Sequence, residues 1–114
     1  MSNRILVIDD EPLILTTVER ALARVGYAIT TAKNMEELVS VLNNPPYDLL
    51  ITDIHLEEDS VDAIIKKVKE TSPAVRIILM SGAGNKNKYQ NFIEKPFKIA
   101  DLREKVRDIL HGPS

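Results

Sequence analysis

The stretch Asp48-Leu49-Leu50-Ile51-Thr52-Asp53 decides how this chain is read. Leu49 to Ile51 is an apolar run of strand length, and it delivers a carboxylate, Asp53, at its carboxyl end. The residues that follow, His55-Leu56-Glu57-Glu58-Asp59-Ser60, are mostly polar and read as a loop. Asp53 is therefore expected at the rim of a sheet. In open α/β sheets that rim, where the strand order reverses, is where ligands bind and reactive groups are reachable. An aspartate at a strand end is ordinarily a cap or turn residue, so its meaning depends on what else converges there.

On the amino-terminal side, Ile5-Leu6-Val7-Ile8 is another unbroken apolar run, and it ends in Asp9-Asp10-Glu11. Continuous hydrophobicity suits a strand covered on both faces, as in a parallel sheet. Pro12 fits the first turn of a helix, where no amide donor is needed. Ile14, Val18, Ala21, Leu22 and Val25 follow at helical spacing, and Gly26 can close that helix. Tyr27 to Thr31 reads as a weaker strand at an edge. Asn34 with Glu37 has the form of a capping box for a second helix, with Met35, Leu38, Val39 and Leu42 on one face and Asn43-Asn44-Pro45-Pro46 as its stop.

Beyond Asp53, Val61, Ile64, Ile65 and Val68 mark a third helix that stops at Thr71-Ser72-Pro73. Val75 to Met80 is a fourth strand leading into Ser81-Gly82. Residues 82–91 are polar and rich in glycine and asparagine, and read mainly as loop. Phe92-Ile93 is a short fifth strand before Glu94-Lys95-Pro96-Phe97. Ile99, Leu102, Val106, Ile109 and Leu110 then mark a terminal helix ending near Gly112-Pro113. Strands alternating with helices predict right-handed crossovers and an α/β fold built on a doubly wound, five-stranded parallel sheet, one domain over residues 1–114.

Composition narrows the function. A chain of 114 residues can bury one core without staples. With 15 basic and 17 acidic side chains the net charge is −2, so no global field recruits nucleic acid or an anionic membrane. The absence of cysteine excludes thiol chemistry. No apolar run approaches a bilayer span and the first residues lack a signal-peptide core, so a cytoplasmic protein without membrane insertion is expected.

In a doubly wound sheet the carboxyl ends of the strands share one edge, so Asp9, Asp10, Asp53, Ser81 and Lys95 can meet there. Clustered carboxylates repel: two unit charges about 4 Å apart cost roughly 4 kcal/mol at an effective dielectric near 20. Such a cluster needs a cation. An all-oxygen acidic site suits a hard ion, and Mg²⁺ is the usual choice where phosphate chemistry is involved. A carboxylate beside Mg²⁺ can attack a phosphoryl group to give an acyl phosphate, with Lys95 and the Ser81 hydroxyl placed to bind the group once it has moved.

Taken in order, Ile5 to Glu11, Asp53, Met80-Ser81-Gly82 and Lys95-Pro96-Phe97, separated by helices, resemble the receiver domain of two-component response regulators. The resemblance covers essentially the whole chain and implies a flavodoxin-like fold with strand order 2-1-3-4-5. It implies that Asp53 accepts a phosphoryl group from a histidine kinase or histidine phosphotransfer protein, and that a conformational change then signals to a downstream partner. Asp10 would ligate Mg²⁺ directly and Asp9 through water, with Asp53 and the backbone carbonyl of His55 completing the set. Ser81 would hydrogen-bond the phosphoryl oxygens, Lys95 would pair with them, and Phe92 matches the switch aromatic. Such a protein phosphorylates itself from a donor and loses the group by hydrolysis rather than turning over substrates as an enzyme.

Two departures from the family pattern stand out. Where the family commonly has a proline and a glycine after the acceptor, this chain has Glu57 and Val61, so a different loop is expected. Only 13 residues separate Ser81 from Lys95, room for a turn or two of helix where the family fits roughly two to three turns plus a loop. The fourth helix is therefore expected to be short or missing. No output domain is expected within residues 1–114.

Blander readings exist for each residue alone. Asp9, Asp10 and Glu11 could complement the dipole of the following helix. Ser81 could be a turn residue, Phe92 a core aromatic, His55 an exposed loop residue, and Lys86 and Lys88 solvated charges. Two other functions compete with the receiver: a degenerate receiver that only binds partners, and an aspartyl-nucleophile phosphatase. A haloacid-dehalogenase-like phosphatase would need an Asp-x-Asp signature and a cap, whereas the acids here are adjacent. A flavodoxin-like carrier would need a phosphate-binding loop where Asp9 and Asp10 stand.

Overall fold

In the computed structural model, which describes residues 3–44, 46–56, 59–82 and 91–112, strands and helices alternate from β1 (Arg4–Ile8) and α1 (Pro12–Ala23) to β2 (Ala28–Ala32), α2 (Met35–Val41), β3 (Leu49–Asp53), α3 (Val61–Thr71) and β4 (Arg76–Ser81). β5 (Phe92–Glu94) and α4 (Ile99–His111) complete the chain. All strand pairs are parallel, and the sheet order is β2-β1-β3-β4-β5. The strand order thus reverses between β1 and β3, the order that the family resemblance implies.

The side-chain period of two explains why β1 and β3 are continuous apolar runs. Ile5, Val7, Leu49 and Ile51 face one side and pack with Val18, Leu22, Leu102 and Val106 of α1 and α4. Leu6, Ile8 and Leu50 face the other side, against Leu38 of α2 and Ile64 and Val68 of α3. All five residues of β3 are buried. At roughly 25 cal/mol per Å² of apolar surface removed from water, these two layers are the main force fixing the strands that carry the acids.

Local signals set the helix ends. Pro12 opens α1, and Gly26, at φ +99°, makes the turn that returns the chain to β2. Asn34 accepts from the N–H of Glu37 at 2.9 Å, while the Glu37 carboxylate accepts from the N–H of Lys33 at 2.9 Å, one residue outside the reciprocal partner of a standard capping box. Ser60 caps α3 through the N–H of Ala63. Three expected core residues are instead exposed: Val25 lies beyond the end of α1, Val39 points away from the face that buries Leu38, and Ile99 is the first residue of α4. The short or missing fourth helix expected between Ser81 and Lys95 concerns residues 83–90, which lie outside the described residues. Among the described residues no helix is long and apolar enough to cross a membrane.

Candidate functional site

β1 runs directly into Asp9, whose N–H continues the ladder to the carbonyl of Ala32 at 3.2 Å. Its carboxylate is fully enclosed: Oδ1 accepts from the N–H of Glu11 at 2.9 Å, and Oδ2 from Lys95 Nζ at 2.8 Å. Asp53 is the last residue of β3, next to β1 in the sheet. Its Oδ1 accepts from the N–H of His55 at 3.0 Å and its Oδ2 from Lys95 Nζ at 3.1 Å. One ammonium therefore bridges acids from two crossover units 44 positions apart in sequence. Lys95 reaches them because its own N–H donates to the carbonyl of Ser81 at 2.7 Å, tying the end of β5 to the end of β4. The Lys95–Pro96 peptide that follows is cis.

Asp10 and Glu11 join the group: one carboxylate oxygen from each of Asp9, Asp10, Glu11 and Asp53 lies within 4.8 Å of the others. Three of them, Asp9, Glu11 and Asp53, lie within 3.5 Å of the Lys95 ammonium. Burial pushes the Asp9 carboxyl above its usual range, against the Lys95 hydrogen bond and the Glu11 N–H that favour the charged form. Burial works to lower the pKa of Lys95, but the hydrogen bonds and charges of Asp9 and Asp53 outweigh it, and the net shift is upward. The lysine is held firmly as a cation, and the acids around it remain in excess. An oxygen-only donor set with surplus negative charge fits a hard divalent ion, and no thiolate or imidazole ligand competes in this group.

Ser81, the last residue of β4, stands one position beyond Met80, the register partner of Asp53. It is completely buried, yet its hydroxyl has no hydrogen-bond partner among the described residues. Buried polar groups are nearly always paired, so a hydroxyl without a partner among the described residues, one strand from Asp53, could donate to an acceptor placed at this rim. Phe92 opens β5 opposite Leu79 and is half-buried. His55 is exposed and meets Asp53 through its backbone N–H.

Of the residues singled out from sequence, Asp9, Asp10, Asp53 and Lys95 meet at one point, and Ser81 lines the neighbouring strand end. Glu11 is the residue that sequence reasoning left on the helix: its Oε1 lies 3.5 Å from Lys95 Nζ. Its signal was adjacency to the acid pair, at an N-cap position that glutamate rarely fills. Chemically the arrangement presents a carboxylate at a strand end, a fixed cation, a cluster of four acids and a buried hydroxyl unpaired among the described residues, all around one rim.

Residues 5–107 match the family model described as "Response regulator receiver domain". The chain is 30% identical to the DNA-binding transcriptional regulator NtrC of Azospirillum brasilense over 95% of its own length and 24% of that protein. It is 31% identical to the nitrogen assimilation regulatory protein NtrX of Azorhizobium caulinodans over 90% of its length and 25% of that protein. The chain thus spans about a quarter of each of these relatives. Among solved structures, a CheY-like receiver domain protein from Methanospirillum hungatei JF-1 superimposes with a TM-score of 0.85 at 24% identity, covering 97% of this chain and 95% of that one.

Proposed function

The chain belongs to the response regulator receiver domain family, and from that premise we propose that Asp53 is the phosphoacceptor in a Mg²⁺-dependent transfer from a histidine kinase or histidine phosphotransfer protein in the cytoplasm. The observation that carries this reading is the convergence at Lys95 Nζ of Asp9 at 2.8 Å and Asp53 at 3.1 Å, beside a buried hydroxyl with no partner of its own among the described residues.

A carboxylate oxygen of Asp53 attacks the phosphorus of the donor. As the new O–P bond forms, the bond from phosphorus to the histidine nitrogen breaks, and the imidazole leaves with the electron pair. Lys95 is already in contact with Asp53 and offsets charge on the transferring oxygens without reorganising. The Ser81 hydroxyl supplies a donor to a phosphoryl oxygen, ending its own isolation. Asp9, Asp10, Asp53 and the backbone carbonyl of His55 would hold Mg²⁺, which when bound supplies further positive charge to the transferring group. Water later cleaves the acyl phosphate and restores Asp53.

The added group carries about −1.5 to −2 charges. It draws on Ser81 and Lys95, which terminate β4 and precede α4, and Phe92 on β5 moves with them as the switch a downstream partner reads.

Intact-protein mass spectrometry after acetyl phosphate and Mg²⁺ tests the proposal. One phosphoryl group per chain is expected in the native protein and none in Asp53→Asn. Sustained turnover of p-nitrophenyl phosphate would instead mark a phosphatase, and no gain from any donor would mark a receiver that only binds.

A further inference from the structure

A lysine ammonium has three donors. On Lys95 two of them serve the buried acids, Asp9 and Asp53, and a third anion, Glu11 Oε1, lies 3.5 Å from the same nitrogen. The three acids are not equivalent. Asp9 is fully enclosed and tethered by the Glu11 N–H through its second oxygen. Asp53 is the reacting group. Glu11 makes the longest contact, and its side chain is 62% exposed, so it can be released into water with almost no desolvation cost.

Glu11 is also not spent on the helix it precedes. It occupies the N-cap of α1 yet makes no side-chain capping bond, and the N–H groups of Ile14 and Leu15 go to its backbone carbonyl. Its carboxylate turns to Lys95 instead. A phosphoryl group on Asp53 would bring new anionic oxygens to Lys95 and would need one of its donors.

Building on the phosphoacceptor reading, we propose that Glu11 is a positioning residue: it holds the Lys95 ammonium in the resting state and is displaced by a phosphoryl oxygen when Asp53 is modified. Asp53 loses its carboxylate charge on forming the acyl phosphate, so after the exchange Lys95 faces Asp9 and the phosphoryl oxygens in place of Asp9, Asp53 and Glu11. The exchange makes Glu11 a competitor of the phosphoryl group, so removing it favours the modified form.

Two variants separate this contact from a simple field effect. Glu11→Gln removes the charge; Glu11→Asp keeps it, but on a side chain one methylene shorter that falls short of Lys95. With beryllofluoride and Mg²⁺ as an unreactive phosphoryl mimic, followed by thermal shift, both variants should bind the mimic about two- to fivefold more tightly, the size of an exposed ion pair. Both should also gain mass from acetyl phosphate faster by a similar factor. The gain in affinity should remain in both variants after each one's own affinity for Mg²⁺ alone is divided out. Native behaviour in Glu11→Asp would overturn the exchange, as would a gain that vanishes once each variant's affinity for Mg²⁺ alone is divided out. A native protein that accepts no phosphoryl group would instead overturn the phosphoacceptor reading itself.

Discussion

The two ends of the sheet are finished differently. At the amino end the polar groups are matched by the protein itself. The Arg4 N–H donates to the Asp48 carboxylate at 2.7 Å, while its guanidinium binds the carbonyls of Asn44 and Pro46 and lies 4.6 Å above the Tyr47 ring. Tyr47 donates its N–H to Ser72 Oγ at 2.8 Å and its hydroxyl to the carbonyl of Val41 at 2.9 Å. Arg76 donates its N–H to the carbonyl of Asp48 and its guanidinium to that of Ile109. At the carboxyl end three carboxylates, those of Asp9, Glu11 and Asp53, share the Lys95 ammonium, and the buried Ser81 hydroxyl is unpaired among the described residues. Among the described residues one end is matched by its own side chains, and the other is where the cation and the anionic group proposed above would add partners. Unpaired burial costs free energy, so the carboxyl end gives up stability that binding can return.

The largest break in that contrast is Lys95→Met, which keeps the side chain's bulk and removes the only cation bridging Asp9 and Asp53 among the described residues. Leaving buried acids unpaired should cost about 3 kcal/mol in urea unfolding without Mg²⁺. Because the folded pKa of Lys95 is raised, its contribution is full below 10.5 and is lost as pH rises through the raised value, so the gap between native and variant should close there. A loss below 1 kcal/mol would mean that the acids do not depend on the lysine. Next in size, Mg²⁺ at a hundred times its Kd should stabilise the native protein by about 2.7 kcal/mol, and clearly less in Asp53→Asn. At the amino end Ser72→Ala strands the buried Tyr47 N–H and should cost about 2 kcal/mol. It should leave the rate of phosphorylation by acetyl phosphate unchanged; a slower rate would mean the two ends are coupled.

The same contrast shows what could be read from the chain alone. β1 and β3 were legible because strands buried on both faces must be continuously apolar, and Asp9 and Asp53 were legible because they end those runs. Pro12, Gly26 and Asn34 were legible because each has a local backbone reason. The direction of a side chain that has a choice was not. Glu11 could have served the helix or the lysine, and only the fold puts Lys95 within its reach. Asp59 looked like loop, yet its carboxylate accepts from the N–H of Met35 at 3.1 Å and adds a second tie at the start of α2. Val39 fitted a helical stripe, but α2 is only seven residues long and its buried face is centred on Leu38. The isolation of the Ser81 hydroxyl likewise depends on neighbours brought in by other strands.

The finest test of the contrast is Asp9→Asn. Burial raises the Asp9 carboxyl above 3.8 despite its bond from Lys95, so in the metal-free protein its ionised form lowers stability at neutral pH. That penalty is relieved as pH falls through the raised pKa and is gone below 3.8. Asparagine retains a carbonyl acceptor for Lys95 or for the N–H of Glu11 while removing one charge from the group. The variant should therefore unfold at slightly higher urea than the native protein at pH 7 without Mg²⁺, and the difference should shrink on acidification. With Mg²⁺ present the order should reverse, because the ion draws on the carboxylate that the variant lacks. If the native protein were already the more stable without metal, the carboxylates at the carboxyl end would be as well matched as the polar groups at the amino end, and the excess charge assigned to the site would carry no cost.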